Sequence, residues 1–144
     1  MIVVASTNGR VGIADAVEVQ LRAAGVSFRE TYYCFHHPTG VVPEYSGPCA
    51  CRKPQPYFLH LAAERYGLDL SQSWMVGDRD TDVQCGQRAG CRTIFVTHPQ
   101  ASPHDDSVRP DFVAPDVAAA VALILGQAAG RAPLGLEEAH DLAR

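Results

Sequence analysis

The sequence predicts an α/β fold built on a parallel sheet, and three observations carry that prediction. Short apolar runs of strand length alternate with segments whose apolar residues recur at helical spacing. Glycines and polar turn residues separate the two kinds of segment. The 144 residues are enough for one domain with a single core, and 47% hydrophobic with 19% charged residues is typical of a soluble globular protein. In such folds the active groups are expected at the carboxyl ends of the strands.

The first part of the chain predicts a strand, a helix and a second strand. Residues 2–5 are apolar and end in a polar turn, which is the pattern of a buried strand. Residues 14–24 have apolar residues at helical spacing, and Gly25 is expected to end that helix. Residues 28–33 predict the next strand, which would deliver Cys34 at its end.

The second part of the chain predicts a regular alternation of helices and strands. Pro56 suits the first turn of a helix that Gly67 would end. The other predicted elements are strands at 74–77 and 93–96, a helix at 82–89 capped by Gly90, and a last helix N-capped by Asp116. We assign residues 1–126 to the domain and residues 127–144 to a tail with a short helix from Leu136.

Three cysteines and a histidine form two close pairs, Cys34 with His36 and Cys49 with Cys51, separated by twelve residues. This donor set suits a tetrahedral zinc ion closed on all four sides, which makes the metal structural. Ordinary buried cysteines are the alternative, but the glycines and prolines of residues 38–48 disfavour a packed strand or helix there. His37 remains an alternative ligand to His36.

Charge and hydropathy exclude several classes of protein. The net charge of −4 argues against a nucleic-acid zinc finger, which needs a basic face. The sequence has no apolar run near the length of a membrane span and no signal-peptide pattern, so we expect a cytoplasmic protein without membrane contact. The remaining thiols, Cys85 and Cys91, are then expected to be reduced core residues.

The segments around the cysteines resemble the zinc-loop phosphatases of the haloacid dehalogenase-like superfamily. The similarity rests on Y-C-F-H-H-P from Tyr33, V-P-E-Y from Val42 and C-A-C-R-K-P from Cys49. The double histidine and V-P-E-Y favour the heptose bisphosphate phosphatases over the histidinol-phosphatases, which share the ligand pairs. The resemblance implies a three-layer Rossmann-like domain with a zinc loop and without a large cap.

The same resemblance assigns roles to residues that bind the substrate. Thr7, with Asn8 beside it and Ser6 as second choice, would bind the phosphoryl group, although spacing alone favours a simple turn there. Lys53 would bind phosphate and Arg52 would contact the substrate. Fixed positive charge of this kind stabilises the charge that spreads over phosphoryl oxygens in transfer.

A strand that ends in carboxylates, G-D-R-D-T-D from Gly77, is the predicted magnesium site. In the family G-D-x-x-x-D holds the metal, which makes Asp78 the magnesium ligand and Asp82 a supporting acid, with Arg79 assisting the phosphate. Helix capping by Asp80 or Asp82 is the structural alternative.

The implied reaction is Mg²⁺-dependent hydrolysis of a sugar phosphate through an aspartyl-phosphate. We expect the 7-phosphate of D-glycero-D-manno-heptose 1,7-bisphosphate as substrate, with histidinol phosphate as the alternative. The family's nucleophile stands in D-x-D-G-T on an earlier strand, and no such run precedes Thr7. We therefore expect a truncated chain, inactive alone, with unpaired sheet edges beside the missing strand. A non-catalytic, zinc-stapled phosphate-binding remnant is the other alternative.

Overall fold

The structure is a computed structural model, and it describes residues 2, 3, 19, 23, 25, 28–97 and 103–128. The chain divides into two compact units. One comprises residues 5–52, and the other comprises residues 53–144 together with residues 1–4.

The larger unit contains a four-stranded sheet in which the paired strands are all parallel, in the order β1-β2-β3-β4. The strands are β1 (Ile2–Val3), β2 (Trp74–Gly77), β3 (Arg92–Val96) and β4 (Phe112–Ala114). The strands predicted at 74–77 and 93–96 are thereby confirmed. β4 was not predicted, because three residues are too few to show a period. β1 pairs with Trp74 and Met75, so the expected unpaired edge is wrong at those two positions of β2.

The helices of this unit cover both faces of the sheet. They are α1 (Tyr57–Tyr66), α2 (Asp80–Ala89) and α3 (Val117–Ala128). On one face α3 packs against alternate residues of β2 and β3, in a buried cluster of Trp74, Val76, Ile94, Val96, Ala114, Ala120, Leu123 and Ile124.

The opposite face of the sheet carries α2. Val83 of α2 packs on Phe95 in a second buried cluster. A methyl group at Gly86 would come within 2.6 Å of Met75 Cβ and 2.7 Å of Thr93 Cγ2, so α2 lies close against the strands. Helices on two faces of a parallel sheet give the predicted three-layer arrangement.

The ends of the helices follow the predicted signals. Gly67 and Gly90 end α1 and α2 in the left-handed region, with φ of 62° and 77°, which a residue without Cβ adopts without strain. Asp116 Oδ1 accepts a hydrogen bond of 2.7 Å from Ala119 N and caps α3 as predicted. α3 continues to Ala128, two residues beyond the predicted end of the domain at residue 126, and Leu136 lies outside the described residues.

The strand predicted at residues 28–33 is wrong, because the structure assigns none of these residues to a strand. Aromatic residues favour strands only when a neighbouring strand is there to pack against. Phe28 is instead exposed, and the ring of Tyr33 stacks on Phe35 at 6.1 Å.

Some of the predictions for residues 2–25 lie outside the described part of the chain. Val19 and Ala23 are helical and Gly25 has φ of 79°, as expected for the predicted helix and its end. Thr7 and Asn8 are not described, and neither is Ser6. Among the described residues there is no helix long and apolar enough to cross a membrane.

Candidate functional site

The smaller unit brings together the four residues predicted to bind zinc. One ligand atom from each of Cys34, His36, Cys49 and Cys51 lies within 4.8 Å of the others. The Sγ atoms are 3.2 to 3.6 Å apart, and His36 Nδ1 is 3.9 and 3.6 Å from Cys34 Sγ and Cys51 Sγ. A tetrahedron with Zn–S bonds of about 2.3 Å has S···S edges of about 3.8 Å. The donor set therefore fits a tetrahedral zinc ion.

Main-chain hydrogen bonds close the loop between the two ligand pairs. His37 N donates to Tyr45 O at 2.8 Å, and Gly40 N and Gly47 N donate to His37 O at 3.0 and 3.2 Å. A Cβ at Gly40 would lie 3.2 Å from the carbonyl oxygens of His37 and Tyr45, so a larger residue there would have to displace them by a few tenths of an ångström. The loop thus returns the chain from the first ligand pair to the second.

The structure distinguishes between the two neighbouring histidines. A ligand atom of His36 lies within 4.8 Å of those of the three cysteines, and the His36 and Tyr45 rings pack edge to face with their centroids 6.1 Å apart. His37 is exposed, and its Nδ1 accepts a hydrogen bond of 3.2 Å from Thr39 N. His36, the first choice from the sequence, is therefore the histidine that completes the cluster.

The pKa values of two thiols in the cluster are shifted in opposite directions. Burial, together with the neighbouring sulfur atoms, raises the pKa of Cys51 to about 12. Burial also acts to raise the pKa of Cys49, but hydrogen bonds from Cys51, Cys34 and the backbone of Cys51 and Arg52 lower it overall. The raised pKa of Cys51 reflects the cost of placing a further negative charge beside the other sulfur atoms, and a divalent metal would balance that charge.

Arg52 is tied to this cluster. Its Nη1 donates a hydrogen bond of 2.7 Å to the carbonyl oxygen of His36. Sequence reasoning assigned Arg52 to the substrate and did not anticipate this bond, because a contact across sixteen residues leaves no local pattern.

In the larger unit Lys53 and Asp82 form a buried ion pair, with side-chain exposures of 7% and 3%. Asp82 Oδ2 also accepts a hydrogen bond of 3.1 Å from Arg79 N, at the start of α2. Burial raises the pKa of Asp82, and the positive charge of Lys53 opposes that rise. Asp82 therefore caps α2 and holds Lys53 at the same time.

Gly77 makes room for this pair. A Cβ at Gly77 would lie 2.3 Å from Asp82 Oδ2 and 2.4 Å from Asp82 Cβ, which no real side chain tolerates. The glycine of G-D-x-x-x-D is thus required by packing. Asp78 follows Gly77 directly, beyond the carboxyl end of β2, and its negative charge adds to the rise in the pKa of Asp82.

Asp80 has a role that sequence reasoning missed. Its Oδ2 accepts a hydrogen bond of 2.9 Å from Asp105 N, and its Oδ1 pairs with His104 Nδ1. The His104 ring also lies 4.6 Å from the Phe95 ring. Asp80 therefore anchors the segment before β4, and of the two capping candidates it is Asp82 that caps the helix.

Comparison with known proteins gives one matching family and similar enzymes of known name. Residues 50–120 match the model of a family described as HAD-hydrolase-like. The D-glycero-alpha-D-manno-heptose-1,7-bisphosphate 7-phosphatase of Photorhabdus laumondii is 34% identical over 99 residues, covering 67% of this chain and 54% of that protein. The D-glycero-D-manno-heptose-1,7-bisphosphate 7-phosphatase of Chlorobaculum tepidum is 36% identical over 128 residues, covering 83% of this chain and 64% of that protein.

Two solved structures of phosphatases superpose on this chain. A HAD-like phosphatase from Mesorhizobium loti superposes with a TM-score of 0.61 and 28% identity over 78% of this chain and 53% of that chain. D,D-heptose 1,7-bisphosphate phosphatase from B. bronchiseptica, complexed with magnesium and phosphate, gives a TM-score of 0.60 and 28% identity over 81% of this chain and 63% of that chain. The chain thus spans between half and two thirds of these relatives. The same superfamily is indicated by the parallel sheet, the family match and the similar proteins. The chain belongs to the haloacid dehalogenase-like superfamily.

Proposed function

We propose that this protein functions as a Mg²⁺-dependent phosphatase of sugar phosphates, with the 7-phosphate of D-glycero-D-manno-heptose 1,7-bisphosphate as its substrate. The observation that carries the proposal is the buried Lys53–Asp82 ion pair next to Asp78, at the carboxyl end of a parallel strand. Ligands of open α/β sheets bind at that edge.

Lys53 supplies the fixed positive charge in this proposal. Its ammonium group is paired with Asp82 and carries the positive charge that the phosphoryl oxygens require in transfer. The pair with a buried carboxylate fixes the position of the ammonium group before substrate arrives, which is the arrangement that electrostatic stabilisation of a transition state requires.

Asp78 is the proposed magnesium ligand, supported by Asp82. Magnesium is held by one or two carboxylates together with water and substrate oxygens. When bound, it would neutralise charge on the transferred phosphoryl group. Asp82 is occupied by Lys53 and Arg79 N, so its support consists of holding these groups in place.

Zinc has a structural role in this proposal. Four protein donors leave no coordination position for water or substrate. The last ligand, Cys51, stands two residues before Lys53 in the chain, so the metal would fix the segment that leads to the phosphate-binding lysine.

The relatives favour the heptose substrate over histidinol phosphate. Those from Photorhabdus and Chlorobaculum both carry the name of a heptose 1,7-bisphosphate 7-phosphatase, and the structure from B. bronchiseptica contains magnesium and phosphate. We keep the cytoplasm as the proposed location.

The second candidate function follows from the missing nucleophile motif. The printed sequence contains no D-x-D-G-T run, and the family's covalent step begins with the first aspartate of that run. We therefore expect these 144 residues on their own to bind phosphate and Mg²⁺ weakly with essentially no turnover. A non-catalytic zinc-stapled protein that binds a phosphorylated ligand would behave in the same way.

One experiment separates the two functions. The chain and a fusion that adds an amino-terminal D-x-D-G-T strand are assayed for phosphate release from heptose 1,7-bisphosphate and from histidinol phosphate. We expect activity on the heptose substrate in the fusion only, abolished by Lys53→Ala or Asp78→Asn and retained in Asp106→Asn, which removes an exposed carboxylate. A folded fusion without activity would favour the non-catalytic function. Release by the unfused chain that is lost in Asp78→Asn would show that another carboxylate is the nucleophile.

A further inference from the structure

Arg52 links the two ligand pairs of the metal cluster. Its guanidinium donates through Nη1 to the carbonyl oxygen of His36, at 2.7 Å, in the first pair. In the chain Arg52 directly follows Cys51, the last residue of the second pair. The loop hydrogen bonds from His37, Gly40 and Gly47 lie between the pairs and tie the loop to itself. The Arg52 side chain, by contrast, joins the segment after the last ligand directly to a ligand residue.

Electrostatics favours a cation at this position. Three thiolates and a neutral imidazole around Zn²⁺ leave one excess negative charge on the site. A guanidinium next to the site compensates that charge, and groups that contact metal ligands in this way commonly change metal affinity 10- to 100-fold. A guanidinium has five N–H donors, so the bond to His36 leaves others for a substrate.

We propose that Arg52 is a positioning residue of the metal centre, which holds the His36 turn in the geometry that zinc requires. This inference rests on the zinc site of the proposed function. It gives Arg52 a role in metal binding that is separate from any contact with substrate.

Zinc affinity of the whole chain is the direct test, measured by competition with a chromophoric chelator. Arg52→Ala should bind zinc at least about 10-fold more weakly than the unchanged chain. Arg52→Lys, which keeps the charge and one donor direction, should recover part of the loss. Arg109→Ala is the matched control, because it removes an exposed guanidinium and keeps the carbonyl that accepts from Gln87 Nε2. It should bind zinc like the unchanged chain.

Cobalt spectra give a readout that does not depend on affinity. Co²⁺ in a site of three sulfur atoms and one nitrogen atom absorbs in the visible range, and the band positions follow the ligand geometry. Arg52→Ala loaded with saturating Co²⁺ should show shifted or weakened bands, and Arg52→Lys bands closer to those of the unchanged chain. This measurement keeps the proposal testable if Arg52→Ala is too unstable for titration, because Arg52→Lys and Arg52→Gln can be compared instead.

The outcomes separate this inference from the proposed function. If the unchanged chain binds neither zinc nor cobalt, the metal centre itself is wrong. If the unchanged chain binds zinc and Arg52→Ala matches it in affinity within twofold and in cobalt spectrum, the metal centre stands and the positioning role of Arg52 is overturned. A loss of affinity that Arg109→Ala shares equally would also overturn it, because the effect would then come from net charge.

Discussion

Different interactions stabilise the two parts of the chain, residues 28–52 and residues 53–128. In the described part of the larger region, a parallel sheet buries clusters of large apolar side chains against helices on both faces. Among residues 28–52 Cys34 alone is buried, and Val41 is 96% exposed. A segment that buries so little apolar surface gains little from the hydrophobic effect. We therefore expect the stability of the smaller region to depend on zinc held by its cysteine and histidine cluster, as in other small metal-bound folds.

The largest effect is expected from removing a metal ligand in the smaller region. Cys49→Ser should lose zinc, because structural zinc contributes on the order of 10–16 kcal/mol of apparent binding free energy in small zinc-binding folds. Metal content by elemental analysis is the measurement. Cys91→Ser is the control, since Cys91 is a buried thiol of the larger region, and it should keep one zinc per chain. Stoichiometric zinc in Cys49→Ser would contradict the assignment of Cys49 as a zinc ligand of the smaller region.

The second effect concerns the larger region. Lys53→Met leaves the carboxylate of Asp82 buried without its counter-charge, which should cost about 3–5 kcal/mol of unfolding free energy at neutral pH. Urea denaturation measures the loss. Lys53→Met with Asp82→Asn should lose less, because no buried charge remains. Equal losses in the single and double variants would show that the pair does not act as a charge pair.

The loss of unfolding free energy in Lys53→Met should also depend on pH. Burial already raises the pKa of Asp82, and removing Lys53 removes the main opposing charge. A carboxyl group whose folded pKa lies above its unfolded pKa destabilises the fold above the folded pKa, and this cost vanishes as the pH falls through it. The difference in unfolding free energy between Lys53→Met and the unchanged chain should therefore narrow as the pH is lowered from neutral. A difference that widens would contradict the assigned direction of the pKa.

A third variant tests close packing in the sheet region. Gly86→Ala would place a methyl group 2.6 Å from Met75 Cβ, which should cost about 1–3 kcal/mol through overpacking. Gly67→Ala is the comparison, because nothing lies within 4 Å and only the φ of 62° opposes it. Both variants should keep full zinc content. A loss of zinc in Gly86→Ala would show that the two regions are not independent.

The smallest effect is expected at the start of α3. Asp116→Ala removes the side-chain bond to Ala119 N and should cost about 1 kcal/mol. Thermal unfolding measures it, with Asp116→Asn, which can still cap the helix, as the control. A cost in Asp116→Asn as large as in Asp116→Ala would contradict the capping role.

The parts of the structure that the sequence predicted are those specified by local signals. Gly67 and Gly90 ended their helices as predicted, because a left-handed residue at a helix end is a local requirement. The metal cluster was predicted from two close ligand pairs, since few other structures need that spacing. The strand at residues 28–33 failed, because strand formation needs a partner that no local pattern specifies.

The contacts that sequence reasoning missed are long-range. Arg52 with His36 and Asp80 with His104 join residues 16 and 24 positions apart, and neither pair has a motif. The glycine of G-D-x-x-x-D was expected only as part of the family pattern. The structure gives its physical reason, which is the close approach of Asp82 to Gly77.

Region-resolved hydrogen exchange, with zinc bound and after its removal by a chelator, measures directly whether the smaller region depends on zinc. We expect the amides of His37, Gly40 and Gly47, which donate within the loop, to lose their protection when zinc is removed. Amides of β3 and of α2 should keep theirs, because the sheet and its apolar core do not depend on the metal. Loop amides that exchange at the same rate with and without zinc, or a loss of protection throughout both regions, would contradict this expectation.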